Sequence, residues 1–347
     1  MKSLENLFSE SRQVPVMALA PMQDITDLPF MNLIEQYGGP DLWYTEYFRV
    51  HSTSSLDKPI LRSIVENRSG KPIVAQMIGN DIPAMIQTAK RLVTYPVAAI
   101  DLNLGCPAPI VYRKCAGGGL LGDPARVDRI LGGLRESIDG KFTVKTRIGF
   151  ENTDHFDELL EIFDRNQIDL LTVHGRTVSE GYRSEVHYKF IERAVERLKC
   201  PVLANGNVYS VKQARKVIDQ TKAAGLMIGR GAIRNPWVFQ QIREAFLGEP
   251  IYVPTGRDVL GYISQLFEAV RLPGVSDLAH VRKMKRYINF IGAGVEPTGA
   301  FLYAIRRVES VAAFFSVCGD YLDHSEPMEL TPFKTINGII RGVAGNG

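Results

Sequence analysis

The chain has 347 residues, of which 45% are hydrophobic and 23% charged, with a formal net charge of +3. That length exceeds most small single domains and suits one large domain with an appendage. So small a charge excludes nucleic-acid binding through bulk charge alone; an RNA partner requires basic groups gathered locally.

The N-terminal MKSLENLFSESRQ carries no apolar stretch of signal-peptide length and no basic leader. No run reaches about 18 apolar residues, so no membrane span is expected. Cysteines stand at 106, 115, 200 and 318, without a C-x-x-C pair. Neither a metal site nor a disulfide scaffold is expected, and a reducing cytoplasm is the expected compartment.

Eight short β-rich runs recur along the first two thirds of the chain. They are VMALAP (16–21), LWYTEY (42–47), IVAQMIG (73–79), AIDLNLG (99–105), FTVKTRIG (142–149), LLTVHGRT (170–177), VLANGN (202–207) and GLMIGRG (225–231). Between them lie helical patterns, including 124–138, 156–166 and 210–221, with Asp123 and Ser210 placed as N-caps. Strands alternating with helices imply parallel pairing and right-handed crossovers, and eight such units suggest an α/β fold, a (β/α)8 TIM barrel. A doubly wound sheet is the rival, but the first strand ends in APMQD rather than a Gly-rich turn.

After residue 248 the β signal stops. LGEPIYVPTGRD (247–258) reads as a linker, followed by helical patterns at 259–272, 277–291 and 298–318. The expected division is a barrel over 1–248 and a smaller all-helical domain over 249–347. Arg282, Lys283, Lys285 and Arg286 form a basic cluster in that second part, and Arg306 and Arg307 add to it. The tail INGIIRGVAGNG is expected to fray.

In such a barrel, the strand C-termini surround a shared mouth. The tips read in order as Pro21-Met22, Glu46, Gln76, Asn103 with Cys106, Lys145 with Arg147, His174 with Arg176, Asn205, and Gly229-Arg230. Each has a bland reading. Gln76 could be a satisfied buried amide, Lys145 an outward-facing side chain, His174 a core histidine, Cys106 a small packing residue, and Glu46 one half of an ion pair. Together they are hard to explain by stability alone. Glycines after the seventh and eighth strands let backbone N–H groups approach an anion. A phosphorylated cofactor is therefore expected near Asn205-Gly206-Asn207 and Gly229-Arg230.

FMN would use the other tips well. Gln76 and Lys145 could meet its polar edge, and Ala20, Pro21 and Met22 could form an apolar floor. Cys106 would then face a substrate. An unperturbed thiol has a pKa near 8.5, so about 97% is protonated at pH 7 and can donate a proton.

APMQDITDLPF (20–30), DLNLGCPAP (101–109), GGGLLGDP (117–124), VKTRIGF (144–150), TVHGRT (172–177) and GLMIGRGAIRNPWVF (225–239) together resemble the tRNA-dihydrouridine synthases. The similarity runs through residues 14–245 and returns more weakly at HVRKMKRYINF (280–290). It implies a flavoenzyme that reduces a uridine of tRNA to 5,6-dihydrouridine, with NADPH reducing bound FMN. Flavin N5 would pass hydride to C6, and Cys106 would protonate C5. It implies FMN contacts at Met22, Gln76, Lys145, His174, Asn205, Gly206, Gly229 and Arg230. Asn103, Arg147 and Arg176 would meet the substrate, and the helical domain would grip tRNA, with Arg282, Lys283 and Arg286 contacting it. No metal is implied, and a monomer is expected. Asp24 and the extra Cys115 depart from the family pattern; Cys115 is expected to reflect local packing, the alternative being that it competes with or replaces Cys106.

Two other readings stand beside this one. An FMN barrel acting on a free pyrimidine would share the Lys145 and phosphate features but would not need the helical extension. A barrel kept as a non-catalytic RNA-binding module would not need Cys106, Lys145, His174 and Asn205 together.

Overall fold

The computed structural model describes residues 4–8 and 12–333; the expectation for the tail at 336–347 lies outside them. Among the described residues nine strands form one sheet: β1 (Val16–Leu19), β2 (Trp43–Tyr44), β3 (Phe48–Val50), β4 (Ile73–Gly79), β5 (Ala99–Leu104), β6 (Phe142–Arg147), β7 (Leu170–His174), β8 (Val202–Asn205) and β9 (Gly225–Ile228). All are paired in parallel in the order β1-β9-β8-β7-β6-β5-β4-β2, with β3 also on β4. A parallel bridge between Ala18 and Leu42 brings β1 back to the start of β2. This is the expected (β/α)8 barrel.

Of the second predicted strand, 42–47, only Trp43–Tyr44 is realised as strand, and β3 follows beyond its end at Phe48–Val50 in the same barrel position. Both β2 and β3 pair with β4, and the ladder is interrupted between them. The physical reason is Thr45, whose Oγ1 accepts the Gln76 N–H at 3.1 Å where a strand would offer a carbonyl. The interruption frees Glu46 to turn away and accept the Ile25 N–H at 3.0 Å.

Strand side chains alternate between the barrel interior and the helical layer. The lower interior is apolar: Val16, Ala18 and Ala20 of the first strand region pack with Tyr44, Val74, Ala99, Leu170, Leu203 and Met227. Leu4 and Leu7, on a short 3-10 turn at Glu5–Leu7, join this cluster. Burying each large aliphatic side chain contributes about 1.5–3 kcal/mol.

Helices follow the strands as the periodicity implies. Asp123 caps Pro124–Ser137 by accepting the Arg126 N–H at 3.0 Å. The helices Phe156–Arg165 and Val211–Thr221 match the other two patterns.

The described residues divide into two compact units, one of 4–8, 12–32, 40–208 and 212–229, the other of 33–39, 209–211 and 230–333. The expected division after 248 thus falls inside the second unit. Segment 33–39 belongs to it through Tyr37, whose ring meets Trp237 edge-on at 5.0 Å and whose hydroxyl donates to Gln265 at 3.0 Å. Within this unit the helix Gly256–Ala269 starts three residues before the predicted 259, because Thr255 and Asp258 form a capping box. The pattern at 298–318 is broken into Ala300–Ile305 and Val311–Leu322. Ser310 leaves the helical conformation and caps the second piece by accepting the Ala313 N–H at 3.2 Å.

Candidate active site

Register decides which strand tips meet. Parallel pairing sets Gln76 beside Asp101, Asp101 beside Thr143, Asn103 beside Lys145, Arg147 beside His174, and His174 beside Asn205. The expected polar residues of β4 to β8 therefore form neighbouring rows at one end of the barrel.

Cys106 is a free, half-buried thiol on the turn that leaves β5. Asn103 Oδ1 accepts the Gly105 N–H at 2.9 Å and the Cys106 N–H at 3.0 Å. On the other side, Cys106 packs beside a small apolar cluster of Tyr47, Ile78 and Val111. Gly118 donates its N–H to the Cys106 carbonyl at 3.3 Å. A Cβ on Gly118 would stand 2.5 Å from Val178 and 2.9 Å from that carbonyl, so the loop needs glycine there. The thiol's own neighbourhood pushes the Tyr47 phenol up, burial first and Cys106 second. Cys115 is exposed and adopts φ 50° on the loop beyond.

Gln76 is fully buried, with Nε2 donating to Asp101 at 2.8 Å and Oε1 accepting from Asn103 Nδ2 at 2.8 Å. Its amide is thus engaged at both ends. Each end keeps one further hydrogen-bonding capacity.

Lys145 lies half-buried in β6. Desolvation and the Arg147 guanidinium lower its pKa to about 8, opposed by Asp101 and Cys106. Burial likewise raises Asp101 to about 6, against hydrogen bonds from Thr143 and Gln76. Glu46 is raised to about 7 by burial and then by Asp27.

The two arginines expected to meet substrate are buried and donate to backbone carbonyls. Arg147 donates to Gly105 at 3.0 Å and to Thr177 and Gly181 at 2.8 Å each. Arg176 donates through Nε and Nη2 to the Ser184 carbonyl, at 2.9 and 2.7 Å. Its Nη1 also lies 3.1 Å from His174 Nε2. A guanidinium only donates, so Nε2 accepts and the neutral imidazole carries its proton on Nδ1.

These ties hold the loop after β7 in place, and sequence reasoning missed what it carries. Tyr182 is 52% exposed, with the Arg147 guanidinium 5.3 Å from its ring centre and the His174 ring 5.8 Å away. An exposed aromatic in Gly181-Tyr182-Arg183 was the available signal. Glu180 accepts the Thr177 N–H at 2.7 Å and pairs with His187 at 2.7 Å. Its pKa falls to about 2, with the His187 and Thr177 hydrogen bonds overcoming desolvation.

The tips of β1, β8 and β9 are built for close approach. Asn205 Nδ2 donates to the Met227 carbonyl at 2.8 Å. Gly206 and Asn207 follow with φ 128° and 52°, a pair of positive values that turns the chain sharply. A Cβ on Gly229 would lie 3.3 Å from Ala20 and 3.4 Å from the Met22 sulfur. Pro21 and Met22 are half-exposed, and Thr26 Oγ1 accepts the Met22 N–H at 2.9 Å. Gln23 Oε1, in the same loop, is buried without a partner.

The remaining expected residues lie in the second unit. Arg230 opens the short helix Arg230–Arg234. On Asp277–Ile291, Val281, Met284 and Ile288 face inward, while Arg282 and Arg286 are exposed. Lys283 is half-buried and donates to the Val270 carbonyl at 3.1 Å. Arg307 stacks on exposed Tyr303, 3.4 Å from its ring centre.

The dihydrouridine synthase family model matches residues 18–283, through the barrel and into the first half of the basic helix. The chain belongs to the dihydrouridine synthase family. It is 31% identical over 307 residues to tRNA-dihydrouridine synthase B of Pasteurella multocida, covering 84% of this chain and 87% of that protein. It is 29% identical over 309 residues to a tRNA-dihydrouridine(16) synthase of Neisseria meningitidis, covering 87% and 93%. Among solved structures, histamine dehydrogenase from Rhizobium sp. 4-9 superposes with a TM-score of 0.54 at 14% identity. That match covers 91% of this chain and 64% of the other, and it shows the barrel fold alone. Membership of the family makes this chain an oxidoreductase that forms dihydrouridine. Among the described residues, no helix is long and apolar enough to cross a membrane, and no cluster of three metal-ligating side chains occurs.

Proposed function

We propose that this chain reduces a uridine of tRNA to 5,6-dihydrouridine, with FMN at the barrel mouth and NADPH as reductant. The observation that carries the reading is Cys106. A half-buried thiol stands on a turn clasped by Asn103, beside Lys145 in the register, in a chain of this family.

The residues present fit a flavin phosphate and ring. Gly206-Asn207 turns sharply enough to present backbone N–H groups to a phosphate. Ala20 and Met22 approach Gly229 so closely that a Cβ there would crowd them. Lys145 places a cation at the tips, mostly protonated at neutral pH with its pKa at about 8. The chemistry that bound FMN supplies is hydride transfer from NADPH to uracil C6.

The chain's own residues do the rest. Cys106 donates a proton to C5 as the C5=C6 double bond is lost, and regains one from solvent. Lys145 and the second N–H of Gln76 orient the ring's polar edge. His174 offers an Nδ1 proton fixed by Arg176. Arg147 and Arg176 act on substrate by holding the loops around it, and Tyr182 supplies a face on which a flipped base can stack. In the second unit, exposed Arg282 and Arg286 contact tRNA phosphates. A monomer working in the cytoplasm completes the proposal.

The test is mass spectrometry of unmodified tRNA incubated with enzyme, FMN and NADPH. A gain of two hydrogens on one uridine is expected for wild type and not for Cys106→Ala. An unchanged yield from Cys106→Ala would move the acid elsewhere, with Cys115 examined first.

A further inference from the structure

We infer that Asp101 is a positioning residue, which sets the Gly105–Cys106 turn through the amides of Gln76 and Asn103. Its catalytic meaning rests on Cys106 being the proton donor; the hydrogen-bond chain does not.

The chain has one polarity. Asp101 is completely buried and takes hydrogen bonds from Thr143 Oγ1 at 2.5 Å and Gln76 Nε2 at 2.8 Å. A carboxylate only accepts, so Gln76 must turn its amino end toward Asp101. That leaves Gln76 Oε1 to face β5, where only a donor fits. Asn103 therefore presents Nδ2, at 2.8 Å. Its Oδ1 is then aimed at the turn, where two donors wait, the N–H groups of Gly105 and Cys106.

The two ends of the chain agree independently. A buried acceptor at Asp101 and paired backbone donors at the turn demand the same orientation of both amides. Without Asp101, only the turn's own N–H groups hold Gln76 in that orientation, and whenever Gln76 flips it offers Asn103 a donor. Asn103 would then flip as well and set an NH2 group against two N–H groups, which opens the turn. The other ties on this turn come from outside the chain: Arg147 holds the Gly105 carbonyl and Gly118 the Cys106 carbonyl. Neither can replace the Asn103 acceptor, since both are donors.

The experiment is residue-resolved amide hydrogen exchange on full-length protein, with turnover measured alongside. In Asp101→Leu, the Gly105 and Cys106 amides should exchange at least roughly tenfold faster, while the ladder amides of β6 and β7 keep wild-type protection. Asp101→Asn should restore both amides to within roughly threefold of wild type. Its side-chain oxygen can still accept from Gln76 while its NH2 faces the Thr143 hydroxyl. Uridine reduction should fall in kcat with Asp101→Leu and recover with Asp101→Asn. If Asp101→Leu does not fold, Gln76→Met carries the amide-exchange test, read without turnover, because it cuts the chain but leaves the Asp101–Thr143 bond.

Wild-type exchange at Gly105 and Cys106 in a folded Asp101→Leu or Gln76→Met protein overturns the inference. So does uniform acceleration across the barrel, the mark of a core defect, or failure of Asp101→Asn to restore the turn. Should the amides respond while kcat does not, Asp101 positions the turn without serving catalysis, and the catalytic half is overturned. A wild-type protein that forms no dihydrouridine sinks the functional reading instead and leaves the exchange result intact.

Discussion

The lower and upper interiors of the barrel are made by the same strands and differ in what holds them. Climbing β5 by twos gives Ala99, Asp101 and Asn103; climbing β7 gives Leu170, Thr172 and His174; β8 gives Leu203 and then Asn205. Below, Val74, Ala99, Leu170 and Leu203 pack with Leu4 and Leu7 through contacts that have no direction. Above, Asp101, Gln76 and Asn103 are joined by hydrogen bonds, and Arg147 and Arg176 are tied to the Gly105 and Ser184 carbonyls, all with fixed donors and acceptors. A floor of this kind tolerates changes that keep volume, while a mouth of this kind tolerates only changes that keep polarity. Stability and chemistry are thereby separated along one sheet.

That separation can be broken in four ways, from the largest effect to the smallest. Cys106→Ala should cut the rate of uridine reduction by roughly 10²–10⁴-fold, the usual contribution of a positioned acid. Denaturant titration should find its stability within about 0.5 kcal/mol of wild type. A large loss of stability would show that the thiol belongs to the packing of Tyr47, Ile78 and Val111.

Leu203→Ala should do the reverse. Urea unfolding should lose about 2–5 kcal/mol, with kcat per folded molecule nearly unchanged. If kcat collapses while the protein stays folded, the floor and mouth are not separable.

Glu46 joins the two behaviours, being buried and ionisable. Its folded pKa of about 7 lies above the unfolded value of 4.5, so the folded state holds the proton more tightly between them. Burying its charge is therefore a cost absent below pH 4.5 and complete above pH 7. Glu46→Gln keeps an oxygen for the Ile25 N–H and removes that cost. Its stability gain over wild type should grow across this window toward about 2–3 kcal/mol, read by chemical denaturation at successive pH values. A gain independent of pH would show that Glu46 ionises normally.

Arg282→Ala with Arg286→Ala, in the second unit, should be mildest, weakening tRNA binding by about 1–2 kcal/mol in total. The slope of log Kd against log salt should flatten by roughly two contacts. NADPH oxidation by oxygen should not change. An unaltered Kd would leave recognition to the mouth alone.

Much of this fold was legible in the sequence, and the reason is periodicity. Apolar runs such as IVAQMIG and helix patterns such as PARVDRILGGLRES carry their own structure, and Asp123 marked its cap. What escaped depended on partners far away in the chain. The split at Thr45 comes from a side-chain hydroxyl replacing a carbonyl toward Gln76, 31 residues on. The break before Ser310 reflects a cap inside an otherwise helical pattern. At the site, residue types were visible but pairings were not. Asp101 was not among the expected site residues, because its pairing with Gln76 is fixed by register, which one sequence does not reveal. Arg147 and Arg176 stood at the expected tips, and only the packed loop shows them donating to Gly105, Thr177, Gly181 and Ser184.

The most direct test is anaerobic absorbance spectroscopy of the purified protein with FMN, first with NADPH and then with unmodified tRNA. The account predicts a flavin band that bleaches with NADPH and recovers rapidly when tRNA is added, in wild type and far more slowly in Cys106→Ala. A band that bleaches and stays bleached with tRNA would contradict the proposed substrate, and no bound flavin at all would contradict the reading of the barrel mouth.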